Sequence, residues 1–99
     1  MTINKTQNGE KLVFELEGRL DSATAPLLQE QLGDLSGISQ LIFDMNQLEY
    51  VSSAGLRVLL KAQKVMIKQG SMKIVGVNSL ILEVFEITGF SEIFTVEPK

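Results

Sequence analysis

The sequence predicts a single α/β domain, a mixed β-sheet with an N-terminal hairpin and helices packed on it. Three observations point there. Apolar residues alternate at a period of two in Lys11 to Glu17, then recur at helical spacing in three later segments. Short apolar stretches, Leu41-Ile42-Phe43 and the strand-like Met72 to Val77, separate those helical segments. Strands interleaved with helices need crossover connections, so most of the sheet should be mixed or parallel.

Taken in order, Thr2–Gln7 and Lys11–Glu17 read as a hairpin around Asn8-Gly9, a turn dipeptide. Leu12, Phe14 and Leu16 alternate there with Val13, Glu15 and Glu17. Gly18 to Thr24 bends the chain into a helix, with Asp21, Ser22 and Thr24 as candidate caps and Pro26 tolerated in the first turn. Leu28, Leu32 and Leu35 form its apolar stripe, flanked by Leu27. Gln40 to Met45 is a short buried strand with Asp44 at its end. Ser52 or Ser53 caps a long helix to about Gln69, with Gly70 placed to stop it and a stripe of Leu56, Leu59, Leu60, Val65 and Met66 or Ile67. Met72–Val77 is a strand. Asn78 or Ser79 starts a helix through Leu80, Val84, Phe85 and Ile87, and Gly89 ends it. Phe94–Glu97 adds a last short strand.

Composition narrows the function. Residues 1–99 suit one domain. The chain has no Cys and no His, which removes thiolate and imidazole nucleophiles, Ser-His-Asp catalysis and the usual zinc ligands. No phosphate-cradling G-x-x-x-x-G-K-[ST] is present, and no cofactor, metal or enzyme activity is expected. A net charge of −3 with no long basic run argues against nucleic acid as a partner. The apolar stretches are too short to span a bilayer, and the first ten residues lack the apolar core of a signal peptide. A cytoplasmic domain with no membrane partner is the expectation.

The unusual stretch is Tyr50-Val51-Ser52-Ser53-Ala54-Gly55-Leu56-Arg57, where two hydroxyls, Ala and Gly stand at a loop-to-helix entry. A helix N-terminus carries unpaired N–H groups and partial positive charge. Small side chains at Ala54 and Gly55 would let another molecule approach that backbone. A phosphate on either serine would be accommodated near those donors, yet would add about −1.5 to −2 charges to the surface. The plain reading is an N-cap serine, with Gly55 only relieving packing.

This stretch, entered from Leu41-Ile42-Phe43-Asp44, resembles the core of the bacterial anti-sigma factor antagonists, the STAS domain family. Gly18-Arg19-Leu20-Asp21 with Thr24-Ala25 and Leu28 is similar to that family's second motif. Gly70 to Val77, and Gly89-Phe90 with Ile93-Phe94, resemble its later strand and its ending. The resemblance runs from about residue 2 to residue 97. It implies a partner-switching cycle. The unphosphorylated domain binds an ATP-dependent anti-sigma factor serine kinase and so frees the sigma factor. Phosphorylation breaks that complex, and a metal-dependent serine phosphatase restores it. By position the modified residue is Ser53, with partner contacts at Asp21, Ser52, Ser53, Ala54, Gly55, Leu56 and Arg57. Many relatives place Asp where this chain has Ser52, and a second hydroxyl where it has Ala54. The latter favours one modification over two.

Other readings attach to single residues. Asp21 suits a helix cap as well as a partner surface. Asp44 could line the Ser53 end of the sheet, or be a strand-end carboxylate bonded to loop N–H groups. Lys61, Lys64 and Lys68 fall on one helical face and read as a solvated basic strip. The alternative function is a constitutive STAS scaffold or subunit without a switch, the serines then being caps only.

Overall fold

A computed structural model describes residues 1–99. Its order is β1 (Thr2–Asn8), β2 (Lys11–Leu20), α1 (Ala25–Leu32), β3 (Gln40–Val51), α2 (Ser53–Met66), β4 (Ser71–Val77), α3 (Ser79–Thr88), a 3-10 turn (Phe90–Glu92) and β5 (Thr95–Pro98). The expected order holds throughout, and the final strand is present. The sheet reads β1-β2-β3-β4-β5 across, with β1 antiparallel to β2 and every other pair parallel.

Each crossover moves the chain one strand further in the same direction, so right-handed connections put all the helices on one face. The burial pattern shows the same thing. Leu12, Phe14 and Leu16 of β2, Leu41, Phe43 and Met45 of β3, and Met72 and Ile74 of β4 are buried with residues of all three helices in one cluster. Val13, Glu15, Ile42 and Lys73 alternate with them and face away, none of them buried. Phe14 and Phe43 stack at 5.7 Å between ring centroids, and the edge-on pairs Phe85–Phe94 and Phe90–Phe94 close the far side.

Three boundaries differ from the sequence expectation. β3 continues through Asn46, Gln47 and Glu49 to Val51 rather than stopping at Met45. Register shifts opposite Glu15–Glu17 and Gly18–Arg19 reset its alternation twice, so first Leu48 and then Val51 turn inward again. Asp44 is therefore not at a strand end, and its Oδ1 accepts the Asn46 backbone N–H at 3.0 Å and the Asn46 side-chain amide at 2.8 Å. α1 stops at Leu32, so Leu35 joins the core from a loop. α2 stops at Met66, and Gly70 serves close approach instead: a Cβ there would collide with the Ser39 backbone. Leu27, Val65, Leu80 and Ile87 on the helices and Ile67 just after α2 are exposed, while Ala62 and Ile81 are buried in the core.

Candidate functional site

Parallel pairing of β2 with β3 builds the site. Leu20 lies beside Val51 in the register, so the loops after both strands leave the sheet side by side. The Ser52 N–H donates to the Leu20 carbonyl at 2.8 Å and ties the two exits together. One residue back, the Arg19 guanidinium lies 4.6 Å from the centroid of the Tyr50 ring.

The Asp21 turn is closed on itself. Asp21 Oδ1 accepts the N–H groups of Ala23 at 3.0 Å and Thr24 at 3.2 Å, and the Asp21 N–H donates to Thr24 Oγ1 at 2.9 Å. The Thr24 hydroxyl donates to the Arg19 carbonyl at 2.8 Å. Desolvation raises the Asp21 pKa, but the N–H bonds from Thr24 and Ala23, the Thr24 hydroxyl and the Arg19 charge outweigh it. The net value lies below the usual 3.8. Asp21 thus braces the entry to α1, while its side chain keeps 32% of its surface exposed at the sheet end.

The serines differ sharply. Ser52 is the extended residue ahead of α2, yet its side chain makes no capping bond. Its Oγ is buried and has no hydrogen-bond partner. Ser53 is the first residue of α2 and is exposed. Ala54 is half-buried, and Arg57, one turn along from Ser53, is exposed.

Gly55 and Leu56 point elsewhere. Both are buried. A Cβ on Gly55 would sit 2.7 Å from Leu20 Cγ and 3.0 Å from the Leu20 carbonyl oxygen. The close approach expected from an outside molecule at Gly55 is made by the chain's own Leu20. Asp44 is also remote. It lies seven positions before Val51 on β3, a distance of about 23 Å at about 3.3 Å per residue. Leu20 and Tyr50 stand in the motifs quoted above, but their supporting roles are not legible there, because only strand pairing makes them neighbours of the site.

Beside Ser53 a shallow groove of about 330 Å³ opens between α1 and α2, lined by Ser22, Pro26, Gln29, Ala54, Arg57 and Lys61 among others. The chain has no group of three or more His, Cys, Asp or Glu placed to hold a metal ion.

A helix-backed, open-faced sheet with hydroxyls at the β3–α2 junction defines an STAS-type domain. The chain belongs to that family: the STAS domain model matches residues 2–99. It is 39% identical to BtrV of Bordetella bronchiseptica, described as a candidate anti-sigma factor antagonist, over 86% of this chain and 76% of that protein. It is 28% identical to the anti-sigma-B factor antagonist of Bacillus subtilis, over 100% of this chain and 93% of that protein. The fold is shared with the Bacillus anti-sigma factor antagonist SpoIIAA in its unphosphorylated form, at TM-score 0.83 and 15% identity over 96% of this chain and 87% of that one. SpoIIAA has also been solved phosphorylated, and that form matches at TM-score 0.75 and 15% identity over 96% and 90%. No helix of this chain is long and apolar enough to cross a membrane.

Proposed function

We propose that this protein is an anti-sigma factor antagonist working as a partner switch, with Ser53 the regulated hydroxyl. In this reading the unphosphorylated chain binds an anti-sigma factor serine kinase at the loop–helix edge formed by Asp21, Ser52, Ser53, Ala54 and Arg57. Binding releases the sigma factor.

The exposure of Ser53 beside the buried Oγ of Ser52 carries the choice of residue. A kinase must bring the γ-phosphorus of ATP to the attacking oxygen, which only the exposed serine allows without opening the loop. The Ser53 oxygen takes the phosphoryl group, its proton passes to a base of the kinase, and ADP leaves. A metal-dependent serine phosphatase then directs water onto the phosphorus, restoring the serine and releasing phosphate. The relatives' names and the two solved forms of SpoIIAA support the reading.

The test is capture from an extract of the source cells with three baits. A kinase-like, ATP-binding protein should stay with wild type and Ser53→Ala and be lost from Ser53→Asp. Adding Mg-ATP to the wild-type complex should place one phosphoryl group on Ser53 by mass spectrometry. Equal retention by all three baits overturns the reading.

A further inference from the structure

A row of exposed cations continues from the switch serine. Ser53, Arg57, Lys61 and Lys64 follow one another at helical spacing along α2, and Lys68 extends the row through the turn after it. From Ser53 to Lys68 the axis rises about 22 Å, at about 1.5 Å per residue. No Asp or Glu occurs between Val51 and Gly70, although the whole chain carries −3. All four cations are exposed, and the ion pairs of the structure, Arg19–Asp21 and Lys73–Glu97, use none of them.

A second observation gives this row a shape. The groove beside Ser53 continues past Gln29 and Lys61 into another of about 220 Å³, lined by Leu32, Asp34, Lys61, Val65 and Gln69 among others. The one carboxylate in the two linings, Asp34, is engaged by the Ser36 hydroxyl at 2.6 Å and the Ser36 N–H at 2.9 Å. The floor is apolar, with Pro26, Val58, Leu32 and half-exposed Val65.

We propose that the α1–α2 groove, lined by Arg57 and Lys61 with exposed Lys64 and Lys68 continuing the cationic row beyond its lining, docks an acidic amphipathic segment of the protein partner, whose carboxylates face the row and whose apolar side chains enter the groove. The proposal rests on the reading of the chain as a partner-binding antagonist. The charge of the row selects the occupant, since an acidic segment gains from the whole row while a basic one is repelled by it. The sign of the switch agrees. A phosphate at Ser53 puts about −1.5 to −2 charges at the head of the groove, which repels a negative partner segment.

The test needs neither kinase nor ATP. The 15N-labelled 99-residue chain is titrated by NMR with a synthetic Glu/Leu amphipathic peptide, its Gln/Leu analogue, and vesicles of phosphatidylglycerol. The Glu peptide should shift amides of Ser22–Gln29 and Ala54–Gln69. Its affinity should fall at least tenfold in the exposed double variant Lys64→Glu/Lys68→Glu, whose fold is checked by circular dichroism. Ser53→Asp should also weaken it. Shifts scattered over the surface, equal binding of the Gln peptide, or binding of vesicles alone each overturn the proposal. If the peptide binds as expected but extract capture is indifferent to Ser53→Asp, the switch fails and the groove stands. The reverse pair of results refutes the groove and leaves the switch.

Discussion

Leu20 occupies the space that a side chain on Gly55 would need: its Cγ and its carbonyl oxygen lie 2.7 and 3.0 Å from where that Cβ would be. The same carbonyl accepts the Ser52 N–H, so one residue at the end of β2 sets both the height of α2 and the position of the serine loop.

Gly55→Ala is therefore expected to destabilise the fold by about 1–3 kcal/mol through overpacking, more than the helix propensity it gains. Urea unfolding checks the size, and amide shifts at Leu20, Ser52 and Ser53 should report the displaced helix. An Ala variant as stable as wild type, with unmoved shifts, would contradict the packing account.

Asn78 joins two elements. Its Oδ1 accepts the Ile81 N–H at 2.8 Å as the cap of α3, and its Nδ2 donates to the Leu48 carbonyl at 3.1 Å. Asn78→Ala should cost about 1–2 kcal/mol, typical of a lost cap with an orphaned neighbour. Asn78→Asp keeps the acceptor but loses the donor, so it should fall between the two in urea midpoint. Equal midpoints for Ala and Asp would show that only the Leu48 bond matters.

Acid should unfold the protein partly through Asp21 and Asp34. Asp34 is lowered below 3.8 by the Ser36 hydroxyl and then by its N–H. Asp21 is lowered because, although desolvation raises it, the Thr24 and Ala23 bonds and Arg19 prevail. The folded state then binds fewer protons than the unfolded chain between the two values. This stabilisation is fully present above the unfolded pKa and is lost as pH falls through the folded one. Urea midpoints measured from about pH 6 to about pH 2 should fall below about pH 4, and less steeply in Asp21→Asn than in wild type. An unchanged slope in Asp21→Asn would remove Asp21 from the effect.

Local sequence was a good guide where one residue type settles a local conformation. Asn8-Gly9 marks the hairpin, Asn78 caps α3 and Gly89 ends it, and the alternation of Leu12, Phe14 and Leu16 shows which face of β2 is buried. It failed where a neighbour overrides pattern. Asn46, Gln47 and Glu49 carry no strand signal of their own; Gln47 pairs with Glu17 of β2, and Asn46 and Glu49 fall at the two register shifts between paired residues. Gly70 resembles a helix stop, but its small size answers to the Ser39 backbone.

For the candidate site, the sequence by itself determined the hydroxyls and small residues at the entry to α2, and the stripe of cations along it. Helical spacing is a property of one segment and is written in that segment. Only the tertiary structure decided that the Ser52 Oγ is buried while Ser53 is exposed, that Gly55 is spent on Leu20, and that the Asp21 turn stands beside the serine loop. Those facts follow from the parallel register of β2 and β3, which brings together residues some thirty positions apart, and no local pattern encodes such a distance.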